Sequence, residues 1–219
     1  MVWLGDYSVF NRSMLYIIGS GGLAKEVYSL IFDSKEWYKK NTEYAFGGYF
    51  DEDHTRRSKS MRIFNLNTAN ISQDDITFIA VGDPKTKQRL RNLLQLKKSG
   101  FDYFLDKTVI TNSARFGIGT IVFPYVTFTA NNIIGEFCTI YQNCSFSHDT
   151  TIGDYCNITP GVNIAGRCKI GNRVYLGIGS SISNDVSICD DVIIGAGAVV
   201  IDSIKEPGTY VGVPARKLK

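Results

Sequence analysis

The chain has 219 residues, 44% of them hydrophobic, with 24 basic against 21 acidic side chains, a formal net charge of +3 and a mean hydropathy of −0.05. That is enough length for one large domain or two small ones with a real core. The charge balance gives no reason to expect nucleic-acid binding and leaves at most a local preference for anionic ligands, and no stretch approaches the ~20 apolar residues of a membrane span.

Residues 1–13 carry neither a basic n-region nor an apolar h-region, so they do not read as a secretory signal. They precede a second methionine, Met14, and are expected to be a disordered leader or a misassigned start. Five cysteines, an odd number, fit a reducing compartment better than a disulfide framework. With two histidines and no CxxC pair, a zinc site is not expected. The expected location is the cytoplasm.

The first half alternates strand and helix. Residues 14–18 form an apolar run ending in Gly19-Ser20-Gly21-Gly22, and a helical pattern follows from Leu23 to about Phe32, with Val27, Leu30 and Ile31 on one face. A second strand is expected to end at Tyr49-Phe50, before Asp51-Glu52-Asp53. A third, residues 76–81, ends in Gly82-Asp83-Pro84. Residues 85–99 then read as an amphipathic helix with Leu90, Leu93, Leu94 and Leu96 apolar and Gly100 as its stop. Such alternation predicts a small Rossmann-like α/β domain with a parallel sheet, over residues 14–106.

The second half, residues 107–219, has another period. Every sixth residue from Ile110 through Phe116, Val122 and Phe128 to Val200 is large and apolar, sixteen in succession. The residue two places before each later member is small or β-branched, among them Cys138, Cys144, Cys156 and Cys168. A slower repeat of eighteen joins Gly117, Gly135, Gly153 and Gly171, and likewise Glu136, Asp154, Asn172 and Asp190. Three hexapeptides therefore make one turn of a triangular prism, whose coils stack at ~4.8 Å. Large residues fill the interior and small ones sit beside them near the corners, so these cysteines, with Cys189, read as structural rather than nucleophilic.

His148 lies two places beyond the ladder residue Phe146 and should point outward, with Asp149 beside it and Gly166 one coil on. An imidazole next to a carboxylate is a plausible general base; a solvated surface histidine explains the spacing equally well.

Beyond periodicity, several strings carry a resemblance: Ser147-His148-Asp149, Ile152-Gly153-Asp154, Pro160-Gly161-Val162, Ala165-Gly166, Leu176-Gly177-Ile178-Gly179, residues 194–200 and Val211-Gly212-Val213-Pro214-Ala215. Together with Gly19-Ser20-Gly21-Gly22-Leu23-Ala24 they resemble the bacterial sialic acid O-acetyltransferase and nucleotide-aminosugar N-acetyltransferase family, whose prism is a left-handed parallel β-helix of hexapeptide repeats. The likeness runs from Met14 to the C-terminus. It implies that His148 takes a proton from the acceptor, that Asp149 raises its basicity, and that the amide of Gly166 stabilises the oxyanion. It implies acetyl-CoA as co-substrate in a groove between prisms of a homotrimer, with Ile178 and Ala196 holding the pantetheine arm. Asn157 matches a position where several relatives have a histidine that contacts the acetyl group; asparagine can donate a hydrogen bond there but cannot titrate. Arg167, Lys169, Arg216 and Lys217 are candidate phosphate contacts or merely solvated charges.

By the same resemblance, Gly21, Gly22, Leu23, Asp51, Glu52 and Gly82 line the acceptor site, where glycine and a helix N-terminus suit a phosphate. Relatives acting on nucleotide sugars often carry histidine in place of Leu23, and Gly-Gly-Leu-Ala-Lys is closer to the sialic acid branch. His54 reads as a solvated loop residue. The leading expectation is N-acetylation of a nucleotide-linked amino sugar for surface-glycan synthesis, with O-acetylation of sialic acid or another sugar as the alternative. A nicotinamide-dependent dehydrogenase would rest on Gly19, Gly21 and Ala24 alone, without a catalytic set. A β-helix carbonic anhydrase would need three histidines, and a bare scaffold would leave His148-Asp149 unexplained.

Overall fold

The computed structural model describes residues 13–33, 44–53, 55, 62–72, 74–96 and 100–218. The expectations for residues 1–12 and for His54 fall outside them. The chain packs as two units: residues up to 81 with 92–101, and residues 82–91 with 102–219.

The first unit holds a four-stranded sheet in the order β3-β2-β1-β4, from strands β1 (Ser13–Ile18), β2 (Tyr44–Asp51), β3 (Ile63–Asn65) and β4 (Ile76–Ile79). All its pairs are parallel. Central β1 buries Leu15, Ile17 and Ile18 completely, as a strand covered on both faces does. Helix α1 (Gly22–Tyr28) lays Ala24 and Val27 on the core, then widens into a π-helical turn, Ser29–Asp33. The expected single helix to Phe32 is thus shorter, and the wider turn brings the Phe32 ring 4.9 Å from that of Phe46. Strand β3 was not anticipated.

Helix α2 (Pro84–Leu96) starts with proline at its first position, where a missing N–H costs nothing. Asp83 caps it by accepting from the Thr86 amide at 2.7 Å. Leu90 and Leu94 are buried as expected. Lys87, three residues before Leu90, is buried with them at 1% exposure, and its Nζ donates to Thr139 Oγ1 at 2.9 Å. Desolvation lowers the Lys87 pKa to about 8.

The second unit is the expected solenoid. Each coil contributes one two-residue strand to each of three parallel sheets, and partners lie eighteen residues apart: Thr139 with Asn157 and Tyr175, Ser145 with Asn163 and Ser181, Thr151 with Lys169 and Ser187. Ladder residues from Val122 to Val200 are all buried. Ile110 is a correction, because it is 59% exposed. In the first coil Ile110 pairs with Thr127 and Thr111 with Phe128, seventeen residues apart rather than eighteen. The ladder therefore starts inward at Phe116, which packs half-buried against the core.

The small inward residues do more than leave room. Cys138, Cys144, Cys156 and Cys168 each donate Sγ–H to a corner carbonyl fifteen residues on, at 3.1–3.2 Å, and Thr120 and Thr150 do the same with their hydroxyls. Burial pushes the Cys144 thiol up to about 11, the opposite of what a nucleophile needs. Every corner turns through one left-handed residue, recurring each six positions from Gly119 to Gly197; most are not glycine, and Asp149 (φ 58°) is one of them.

Candidate active site

Each corner of the prism is a vertical column of outward residues spaced by eighteen. In the column Glu136, Asp154, Asn172 and Asp190, the side chains of the last three each accept from the backbone amide one coil back at 2.8 Å. This ladder of caps explains the acidic and amide residues in the slower repeat. The other two columns break it, and the breaks are where chemistry is available.

The column Ala130, His148, Gly166, Asn184 carries the candidate base. The Nδ1 of His148 lies 2.8 Å from Asp149 Oδ2, and Asn131 donates Nδ2–H to the other carboxylate oxygen at 3.0 Å. An ionised carboxylate only accepts, so the pair orients Nδ1 as the donor, and in the neutral ring this presents the lone pair on Nε2. The hydrogen bond from His148, and then that from Asn131, hold the Asp149 carboxyl below the usual carboxylate range. The imidazole and carboxylate are each about half exposed, at 49%. On the far side, the ring lies over Gly166, where an added Cβ would meet Nε2 at 2.7 Å.

The amide of Gly166 differs from expectation in one respect. It donates to Asn184 Oδ1 at 3.0 Å, and the Gly166 carbonyl accepts from the Asp185 amide. In this arrangement the expected oxyanion donor already has an acceptor.

The column Gln142, Pro160, Ile178, Ala196 has no side-chain caps at all. Above Ile178 stands Ala196, whose side chain offers no acceptor, and above Ala196 the register shortens to sixteen residues. The amides of Ile178 and Ala196 consequently find no partner among the described residues, and both residues are exposed. Two free donors one coil apart suit a ligand that runs along the axis and carries amide carbonyls.

Asn157 is not at the His148 corner. It lies on the Thr139 side, 2% exposed, with its Oδ1 unpartnered among the described residues. Three of the four candidate phosphate contacts are ion-paired: Arg167 with Asp185 through two bonds of 2.7 Å, Arg216 with Asp202 at 3.5 Å, and Lys217 with Glu206 at 2.9 Å. Lys169 has no such partner among the described residues and lines a shallow cavity with Lys205.

In the first unit, the Gly19–Leu23 loop meets the end of β2. Gly19 has φ 111°, and a Cβ there would lie 2.7 Å from the Ala80 carbonyl, so glycine is required. The Ser20 hydroxyl donates to Asp51 Oδ2 at 2.5 Å, while Asp51 Oδ1 accepts from the Asp53 amide. Gly21 caps α1 without any side-chain hydrogen bond, and a Cβ on Gly22 would meet nothing within 4 Å. Gly82 packs with the solenoid unit and lines a cavity of about 530 Å³ with Lys85, Arg173, Tyr175, Asp191 and Ile193.

Asn131, Asn184 and Lys87 escaped the sequence reading. The first two were within its reach, because Asn131 is eighteen residues before Asp149 and Asn184 eighteen after Gly166.

A hexapeptide prism with a histidine–carboxylate pair at one corner defines an acyltransferase of the left-handed β-helix type. Comparison with known proteins agrees: residues 14–94 match the PglD N-terminal domain, and residues 133–166 and 167–202 match the bacterial transferase hexapeptide (six repeats). The two parts of the chain thus resemble those of the PglD-type hexapeptide sugar acetyltransferases. Among curated proteins no sequence matches significantly. Among solved structures, a mutant of perosamine N-acetyltransferase from Caulobacter crescentus, in complex with CoA and GDP-perosamine, is 26% identical, with TM-score 0.83 over 94% of this chain and 97% of that one. WeeI from Acinetobacter baumannii AYE is 25% identical, with TM-score 0.82 over 94% and 100%. The acetyltransferase domain of PglB from Neisseria gonorrhoeae, in complex with acetyl coenzyme A, repeats the fold at 21% identity, TM-score 0.81 and coverage of 94% and 100%. No helix among the described residues is long and apolar enough to cross a membrane, and no group of three or more His, Cys, Asp or Glu among them is placed to hold a metal ion.

Proposed function

We propose that the chain transfers acetyl from acetyl-CoA to the amine of a nucleotide-linked amino sugar, in the cytoplasm, as a step of surface-glycan synthesis. The observation that carries this reading is the pairing of His148 with Asp149, which leaves Nε2 as a base at an exposed corner. His148 takes the proton as the acceptor nitrogen attacks the thioester carbonyl and a C–N bond forms. The C–S bond then breaks, and the departing thiolate recovers the proton from His148.

The free amides of Ile178 and Ala196 support a site for the pantetheine arm, which carries two amide groups along its length. The acceptor site is assigned to Gly21, Gly22, Leu23, Asp51 and Glu52, all in the first unit. The Asp51 carboxyl group beside the start of α1 suits sugar hydroxyls or base N–H groups, while the open backbone at Gly22 suits a phosphate. The assembly we propose is a homotrimer, whose adjacent prisms wall the groove. GDP-perosamine, bound by the Caulobacter protein, is a nucleotide-linked amino sugar, which favours N-acetylation over the O-acetylation of sialic acid.

The test is thiol release from acetyl-CoA against a panel of nucleotide-linked amino sugars and sialic acid. Turnover with an amino sugar and not with sialic acid is expected; turnover with none of them refutes the substrate class. His148→Ala should abolish most of the activity in a folded protein, and near-normal turnover would remove His148 as the base.

A further inference from the structure

The amide expected to polarise the thioester is already bonded to Asn184, and this points to a different donor. We infer that Asn184 Nδ2 is the group that hydrogen-bonds the thioester oxygen, with the Gly166 amide serving to orient it; the inference rests on the acetyl-transfer reading above.

An N–H can face only an acceptor, so the bond from Gly166 fixes the carboxamide with Oδ1 inward. Nδ2 is thereby turned away from the backbone. The capping ladder of the neighbouring corner supplies the contrast. There the amide group of Asn172, in the same capping geometry, is consumed by a bond from Nδ2 to Asp190 Oδ2 at 3.1 Å. Asn184 is exposed, and its Nδ2 has no partner among the described residues. Asp202, the next member of its column, is engaged with Arg216 instead.

The placement also fits. His148 reaches toward Gly166 from the coil below, and Asn184 reaches to it from the coil above. Gly166 is the one residue between them, and it has no side chain. A base and a hydrogen-bond donor thus converge on one gap from opposite directions. Acceptance of the Gly166 N–H by Oδ1 polarises the carboxamide and makes its Nδ2–H a better donor. As negative charge develops on the thioester oxygen, that donor strengthens its bond, which is what lowers the barrier.

The test uses the full-length protein with Asn184→Asp and Asn184→Ala. Aspartate keeps the cap on Gly166 but removes the donor and places a negative charge beside the developing oxyanion. Alanine removes the donor but frees the Gly166 amide to take its place. Asn184→Asp should therefore lower kcat by ~100-fold or more, and Asn184→Ala by ~10-fold or less, with the KM for acetyl-CoA little changed in both. A residue that merely caps the corner gives the reverse order, and that result overturns the inference. A second readout needs no acceptor: the carbonyl 13C resonance of bound acetyl-CoA labelled at that carbon. It should lie downfield of free acetyl-CoA in the wild type and return toward the free position in Asn184→Asp. An unchanged shift in that variant refutes the role of Asn184 while leaving acetyl transfer intact. Absence of any bound signal in the wild type refutes acetyl-CoA as the co-substrate, and this inference with it.

Discussion

His148 and Gly166 are held so closely that a methyl group on the glycine would come within 2.7 Å of Nε2. The glycine has no left-handed backbone to satisfy, so its need is set by the ring alone. Gly166→Ala should push the exposed imidazole aside without disturbing the coil. The expected result is a fall in kcat of ~100-fold with an almost unchanged thermal midpoint. Unaltered turnover would show that the ring need not occupy that place.

Asp149→Asn tests the electrostatic half of the pair. A carboxamide in that site offers an N–H to Nδ1, which moves the ring proton to Nε2 and removes the base. Steady-state kinetics should show kcat reduced by ~100-fold or more, with the KM for acetyl-CoA preserved. The sign of any acid effect follows from the lowered pKa of Asp149. The carboxylate is ionised throughout the neutral range, and its contribution is lost only as the pH falls through that depressed value.

Asn131 holds the second oxygen of the same carboxylate. It has φ 55°, so alanine there would confuse loss of a bond with backbone strain. Asn131→Gly avoids this. Loss of one hydrogen bond of ~1 kcal/mol should cost about five-fold in kcat, measured at saturating acetyl-CoA, with circular dichroism unchanged.

Lys87 should impose a pH dependence on stability. Its folded pKa of about 8 lies below the ordinary lysine value of 10.5, so between those limits the unfolded chain binds more protons. Stability therefore rises with pH across that window, and charging the buried amine below pH 8 costs about 3 kcal/mol. In urea titrations at pH 7 and pH 10, Lys87→Met should lack this increment. A variant with the same pH slope as the wild type would show that Lys87 is not its source.

The sequence made the prism legible because one residue in six must be large and every coil must return to the same corner. That arithmetic also placed Gly166 against His148 correctly. It failed at Ile110, where a coil one residue short turns the side chain outward; a periodic pattern continues through such a deletion without a mark. Lys87, Leu90 and Leu94 share one helical face and are all buried, but spacing does not say whether the amine of a lysine on such a face leaves water. Strand β3, with three residues, is too short to show any alternation. Asn184 stands eighteen residues beyond Gly166, but spacing alone does not say whether its side chain turns back to the amide below.

The left-handed corner that places Asp149 beside His148 recurs at every sixth position from Gly119 to Gly197. The backbone frame of the site is thus copied along the whole prism, and only the side chains mounted on it differ. Because a stacked coil touches chiefly its immediate neighbours, the frame treats each corner as an interchangeable socket. A histidine–aspartate pair mounted two columns or two coils away would inherit the same spacing. The position of such a pair along the prism is therefore a quantity that evolution can adjust in steps of one coil, ~4.8 Å at a time.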